Sequence, residues 1–227
     1  MIATRKLPMT PPSLRSVLPL FPLGTVLYPG GLLPLRIFEV RYLDLIGKCH
    51  KAGTPFGVVG LTQGSEVRVA GGEAEKFASI GTVAHIRSFD SPQAGLMQIE
   101  CVGGSRFRVH SSKLQTHGLW TAEVEMLPAD VDLAIPADLQ HTRDALQRLV
   151  RTLAERQRLQ AEATGSAPRL PIAEPYRFDD CGWVANRWCE LLPLQPELKQ
   201  RLMELGSPLM RLELVSDLLA RTGIARE

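Results

Sequence analysis

Cysteine, histidine and adjacent aspartate side chains are the groups in this sequence that could carry out catalysis or hold a metal ion. Cys49 and His50 are neighbours, and adjacent residues of a helix point away from each other, so they do not make a nucleophile–base pair. Cys181 and Cys189 are eight residues apart, a spacing that matches no standard zinc site. We therefore expect all four cysteines to be small buried apolar residues.

The other polar groups form no catalytic constellation. The five histidines are scattered along the chain, and we interpret them as partly exposed strand residues rather than as acid–base groups. Asp179 and Asp180 are interpreted as the N-terminus of a helix rather than as a metal or acid–base site. The sequence has no phosphate loop, G-x-G-x-x-G, G-x-S-x-G or H-E-x-x-H motif. It therefore predicts no catalytic residue, no metal site and no cofactor.

Length, composition and charge limit the class of protein further. A chain of 227 residues with 44% hydrophobic and 22% charged residues is typical of a globular protein with one large domain or two small ones. The formal net charge of +2 provides no strongly basic face, which argues against nucleic-acid binding. Four cysteines in this length do not form a disulfide scaffold, so we expect a reducing, cytoplasmic location.

An uncharged stretch of 20 residues, 16–35, is long enough to cross a membrane. It contains four prolines and three glycines, which interrupt any helix that could satisfy its own backbone in lipid. We therefore predict short buried strands separated by turns, and no association with a membrane.

The elements that would position a site divide the chain into three parts. Residues 1–16 are polar and proline-containing, which predicts a flexible tail. Residues 17–127 consist of short apolar runs between glycines and prolines, which is typical of β structure. Residues 128–227 have the apolar spacing of helices. The predicted fold class is therefore α+β, with a β-rich N-terminal half and a helical C-terminal half.

Seven short strands are expected in the β-rich half, and this number predicts a closed or nearly closed barrel. Their ranges are 18–27, 33–38, 56–61, 82–89, 96–102, 105–111 and 119–127. Gly103 and Gly104 are predicted to form a hairpin turn between the fifth and sixth. One helix is expected from Val40 to about Lys51, ended by Gly53.

The helical half shows clear helix boundaries. An apolar stripe begins at Leu139, and a flexible stretch is expected over 161–178. One of the two aspartates 179 and 180 can cap the next helix, whose two tryptophans we expect to be wedged between the helices and the barrel. Two further helices begin at Pro196 and Pro208 and stop at Gly206 and Gly223, the usual positions of proline and glycine at helix ends.

The segment 18–42, LPLFPLGTVLYPGGLLPLRIFEVRY, resembles the opening of the Lon N-terminal (LON substrate-binding) domain. Further matches follow in the same order, at PFGVV 55–59, IGTVAHI 80–86, GSRFRV 104–109 and GLW 118–120. The resemblance covers about residues 17–220. One departure is Val40, where the family usually has proline; the start of that helix is expected to be softer, with no change of fold.

The resemblance implies a PUA-like β barrel over 17–127 followed by a helical bundle over 128–227. It also implies a non-enzymatic module that recognises unfolded or extended protein segments, with a separate protease as a further partner. The ATPase and protease parts of Lon are not expected here. RNA binding is the alternative, since PUA-like barrels elsewhere contact RNA. It would need a basic patch, for which the candidates are Arg68, Arg87, Arg106 and Arg108.

A peptide site is predicted where the second strand meets the first helix, at Phe38, Glu39, Arg41 and Tyr42. These residues follow a buried run and would lie beside a groove between barrel and helices, or beside an exposed sheet edge. A competing interpretation is that Glu39 and Arg41 tie this junction to the sheet by hydrogen bonds and salt bridges. The glycine-rich, charged segment 63–79 is expected to be either a lip of the site or a solvated loop.

Overall fold

The fold is described from a computed structural model, which places residues 15–66, 75–165 and 169–222. Over these residues the strands are β1 Arg15–Leu23, β2 Leu32–Ile37, β3 Phe56–Gln63, β4 Lys76–Gln93, β5 Leu96–Leu114 and β6 Trp120–Met126. The helices are α1 Val40–Ala52, α2 Gln140–Thr164, α3 Cys181–Leu191, α4 Pro196–Glu204 and α5 Pro208–Thr222, with one 3₁₀ turn at Ala137–Leu139. The tail predicted for 1–16 lies outside the described residues except for its last two, with which β1 begins.

The strands form one sheet in the order β2-β5-β4-β3-β1-β6, and β5 also pairs with β6. The second pairing closes β5, β4, β3, β1 and β6 into a ring, which we call the barrel, and leaves β2 on the N-terminal half of β5. All pairings are antiparallel except that of β1 with β3. The predicted α+β fold class is confirmed.

The hairpin predicted at Gly103 and Gly104 is wrong, because β5 runs through both residues without a turn. Gly103 instead allows another part of the chain to approach the strand. Its carbonyl accepts a 2.7 Å hydrogen bond from Gly30 N, and its N–H donates a 2.9 Å bond to Gly31 O. A Cβ on Gly103 would lie only 2.0 Å from the carbonyl oxygen of Tyr28. The glycine is therefore required by packing rather than by a turn.

Three apolar clusters form the interior. One fills the barrel around Leu20 and Phe107, and a second lies beneath α1 around Phe56. The third holds the helices together around α3. Its Trp188 is buried, and the indole N–H donates a 2.9 Å hydrogen bond to Thr142 O. All four cysteines are buried and free, as predicted.

The helix boundaries largely follow the local signals in the sequence. Gly53 ends α1 with a φ of 63°, and the side chain of Asp180 caps α3 by accepting a hydrogen bond from Trp183 N. Helix α2 is longer than expected and occupies the beginning of the stretch predicted to be flexible. Its exposed end carries Arg158 ion pairs to Glu155 at 2.7 Å and to Glu162 at 3.0 Å, the spacing at which such pairs support an isolated helix.

Candidate functional site

The four predicted site residues lie together at the junction of β2 and α1, but they differ in exposure. Phe38 is 58% exposed. Arg41 and Tyr42 are buried, and the Tyr42 ring stacks on Phe21 with 3.8 Å between the ring centroids. Contact of all four residues with a peptide therefore stays a prediction, and Phe38 is the one whose side chain faces solvent most.

Arg41 holds several parts of the chain together. Its Nε lies 3.1 Å from Glu39 Oε2, and Nη1 donates a 2.8 Å hydrogen bond to Gly118 O. Nη2 donates to Glu66 O at 3.3 Å and to Glu75 Oε1 at 3.1 Å. Glu39 and Arg41 thus tie the junction by hydrogen bonds and salt bridges, which is what the competing interpretation expected.

The same guanidinium contacts two residues within the segment 63–79. Glu66 and Glu75 are its contacts there, and Glu75 Oε2 also accepts a 2.6 Å hydrogen bond from Trp120 Nε1. Strand β3 extends to Gln63 and β4 begins at Lys76, so the connection between strands is shorter than the sequence suggested. Residues 67–74 lie outside the described part of the chain, and the role of this segment stays a prediction.

Glu66 connects this junction to a groove between the barrel and α4. Its Oε1 accepts a 2.6 Å hydrogen bond from Gly24 N, and Gly24 lies in the wall of the groove, whose volume is about 380 Å³. The apolar part of the lining is formed by Leu23, Val26, Leu61, Ala78 and Pro196, and charged side chains of α4 contribute Glu197, Arg201 and Glu204. The groove is therefore apolar inside and charged along one rim.

An irregularity in the sheet creates this groove. Val59 pairs with Gly81, but Leu61 already pairs with Phe77, so β4 has two more residues than β3 over this stretch and bulges. Helix α4 lies over the bulge because Gln200 Nε2 donates a 2.9 Å hydrogen bond to Ile80 O. No periodicity in the sequence signals this arrangement, and sequence analysis missed the α4 side of the groove.

The basic patch required by the RNA-binding alternative is only partly present: Arg87 and Arg108 are exposed, but Arg106 is not. Arg106 is buried rather than on a solvated face, and Nη2 lies 2.9 Å from Asp130 Oδ1. Arg87 Nη1 lies 3.8 Å from a carboxylate oxygen of Glu100, and Arg68 lies outside the described residues. Arg106 is covered because the helical half packs on this side of the barrel, which strand alternation alone does not predict.

The chemistry of the buried thiols argues against a nucleophilic role. Burial is the main influence that raises the pKa of Cys101 to about 12 and the pKa values of Cys181 and Cys189 to about 11. Each thiol is therefore protonated near neutral pH, and the thiolate is the reactive form.

Within the described ranges, no group of three or more histidine, cysteine, aspartate or glutamate side chains could hold a metal ion.

A histidine–serine pair escaped the sequence analysis because its members are 75 residues apart. His141 Nε2 lies 3.0 Å from Ser216 Oγ, and Nδ1 lies 2.9 Å from the carbonyl oxygen of Asp138. The imidazole is exposed and joins the start of α2 to α5, which is a structural contact between helices.

Of the helices described, none is long and apolar enough to span a membrane.

Comparison with known proteins identifies the family. Residues 17–221 match the model of the ATP-dependent protease La (LON) substrate-binding domain. The chain belongs to this family. A Lon N-terminal domain protein from Xanthomonas campestris, known from its crystal structure, is 31% identical, with a TM-score of 0.66 over 90% of this chain and 98% of that one. The resemblance stated from the sequence is thereby confirmed.

Other relatives of this LON substrate-binding domain are longer proteins or more distant in sequence. Lon protease of Paraburkholderia phytofirmans is 30% identical over 87% of this chain and 23% of that protein. Cereblon of Danio rerio is 31% identical over 49% of this chain and 25% of that protein. The chain thus spans about a quarter of the length of these curated relatives. The N-terminal domain of Mycobacterium avium complex Lon protease, at 17% identity and a TM-score of 0.54, supports the fold alone.

Proposed function

We propose that this LON substrate-binding domain recognises extended or unfolded segments of other proteins and carries out no reaction itself. The observation that supports this proposal best is the groove between the barrel and α4. An apolar lining beside a few polar groups is typical of sites that bind ligands by surface contact. Family membership points in the same direction. The one histidine–serine contact described above, between His141 and Ser216, joins two helices, and neither residue lines the groove.

We further propose that Glu39, Arg41 and Tyr42 act by positioning, while Phe38 contacts the bound segment directly. Arg41 holds Glu66, and Glu66 holds Gly24 in the wall of the groove. Phe38 offers an exposed aromatic ring, a side-chain type that contributes strongly to protein interfaces. A separate protease that receives the bound protein, and a cytoplasmic location, belong to the same proposal.

A permanently unfolded protein tests the proposal. Reduced and carboxymethylated lactalbumin is titrated with the domain, with native lactalbumin as the control, and binding is followed by fluorescence anisotropy. We expect binding of the unfolded form alone, and no new peptide termini by mass spectrometry after incubation. Phe38→Ala is expected to weaken binding about 5- to 30-fold, whereas Val131→Ala, at a residue that is 67% exposed elsewhere, leaves it unchanged. Equal binding of native and unfolded forms, or cleavage of either, would overturn the proposal.

A further inference from the structure

We infer that the groove between β3 and α4 selects extended segments that carry an aliphatic side chain next to a basic residue. This inference rests on the proposed function. It adds the chemical class of the segment and the residues of this chain that distinguish one segment from another. Main-chain geometry, apolar lining and rim charge support it independently.

The main chain of the groove leaves room for an added extended segment. β1 pairs with β3 only as far as Leu23 and Gly60, whereas β3 continues through Leu61 and Thr62. Beyond Gly60, an incoming segment can therefore lie beside β3 at the position that β1 occupies before it ends. This is the geometry of recognition by strand addition. Gly60 itself still pairs with Leu23, and a Cβ there would lie 2.9 Å from Gln200 Oε1, so α4 packs closely over this residue and the room begins after it.

The size and lining of the groove favour one aliphatic side chain. Its volume of about 380 Å³ is at the lower end for ligand sites, which suits one or two residues of a segment rather than a folded surface. Leu23, Val26 and Leu61 provide the apolar contacts. A buried aliphatic side chain gains about 1.5–3 kcal/mol from such an environment, so a polar residue at the same position should bind much less tightly.

The charges around the groove favour a neighbouring cation. Helix α4 contributes the carboxylates of Glu197 and Glu204 and the guanidinium of Arg201. Outside the lining, the carboxylate of Glu66 accepts a hydrogen bond from Gly24 N in the groove wall. The lining thus holds two carboxylates and one guanidinium, so a lysine or arginine beside the aliphatic residue is attracted and a glutamate is repelled.

Three synthetic peptides that differ at one feature test the selectivity. Each is a labelled ten-residue Gly/Ser peptide with a central residue and two flanking residues: Lys-Leu-Lys, Glu-Leu-Glu or Lys-Ser-Lys. By fluorescence anisotropy we expect Lys-Leu-Lys to bind about tenfold or more tightly than either of the others. Its advantage over Glu-Leu-Glu should shrink when salt is raised to about 0.3 M, because added ions screen exposed charges.

Two pairs of variants then locate the binding. Ser79→Trp places a large ring at the exposed edge of the groove, and Ser112→Trp makes the same change at an exposed position of β5. Glu197→Lys reverses a rim charge, and Glu213→Lys makes the same change on the exposed side of α5. We expect Ser79→Trp to weaken Lys-Leu-Lys binding at least about tenfold and Glu197→Lys to reduce the preference for lysine. The two controls should bind as the unchanged domain does.

The outcomes separate the inference from the proposed function. If unfolded lactalbumin binds but the three peptides bind equally, or if Ser79→Trp and Glu197→Lys behave like their controls, the groove is not the selective site and the inference is wrong. The proposed function survives that result. If neither unfolded lactalbumin nor any peptide binds to the domain, shown to be folded by its thermal unfolding, both are overturned.

Discussion

Asp130 Oδ2 lies 2.6 Å from Nη1 of Arg211, which joins the segment leaving the barrel to helix α5. The other oxygen, Oδ1, lies 2.9 Å from Nη2 of Arg106 on β5. Arg106 also donates hydrogen bonds to the carbonyl oxygens of Met203 and Leu205. One carboxylate thus pairs with two buried guanidinium groups and joins the barrel to the helical half.

Replacement of Asp130 should strongly destabilise the protein. In Asp130→Asn both guanidinium groups stay buried and lose their counter-ion, which in comparable sites costs about 3–5 kcal/mol of unfolding free energy. Urea unfolding followed by circular dichroism measures the loss. Asp132→Asn is the matched control, because the Asp132 side chain is 88% exposed and its ion pair with Arg177 should contribute less than about 1 kcal/mol. Equal effects of the two variants would contradict the structural role of Asp130.

Glu190 should make the stability depend on pH. Burial raises the pKa of Glu190 to about 7, although the charges of Arg187 and Lys199 oppose this shift. Between its ordinary pKa near 4.5 and about 7, the folded state therefore binds more protons than the unfolded state, so the unfolding free energy falls as pH rises. We expect the stability of the natural protein relative to Glu190→Gln to fall over this range, by up to about 3 kcal/mol.

Urea unfolding of both proteins at a series of pH values between 4 and 8 checks this sign. The comparison removes the contribution of all other carboxyl groups, which the two proteins share. A relative stability that rises with pH over the same range would show that the ion pair with Arg187, at 2.7 Å, outweighs burial and that the folded-state pKa is lowered instead.

Gly103→Ala should be strongly destabilising although it adds only one methyl group. The new Cβ would lie 2.0 Å from Tyr28 O, and backbone cannot move aside as a side-chain end can. We expect a loss of about 3 kcal/mol or more, measured by thermal unfolding. Gly47→Ala is the matched control, since its Cβ would meet only a Met97 methyl group at 3.8 Å. That change in α1 should be neutral or stabilising by up to about 1 kcal/mol.

Arg41→Lys should loosen the connection between β3 and β4 more than the rest of the domain. A lysine ammonium cannot reach the acceptors on Gly118, Glu66 and Glu75 together, because it lacks the planar fork of the guanidinium. We expect a loss of about 1–3 kcal/mol and faster hydrogen exchange at the amides of Glu66 and Glu75 than in α5. Arg36→Lys, at an exposed position of β2, should change neither. Uniform acceleration across the domain would mean that Arg41 does not act locally.

The sequence by itself determined the features that depend on neighbouring residues. Gly53 ends α1, Pro196 and Pro208 begin α4 and α5, and Asp180 caps α3, because these effects act within one helical turn. The family was also evident from ordered local segments. The absence of known catalytic motifs is likewise a property of the sequence alone.

Only the tertiary structure decided how distant segments meet. The glycine pair at 103 and 104 is typical of a turn, but Gly103 lies within β5, where the chain at Tyr28 packs against it. Arg106 has the spacing of a solvated strand residue but is buried, since Asp130 and the carbonyl groups at the end of α4 surround it. The groove beside Leu61 exists because β1 ends, β4 bulges and α4 covers the bulge. Each of these features depends on contacts between residues far apart in the chain, and no local pattern encodes them.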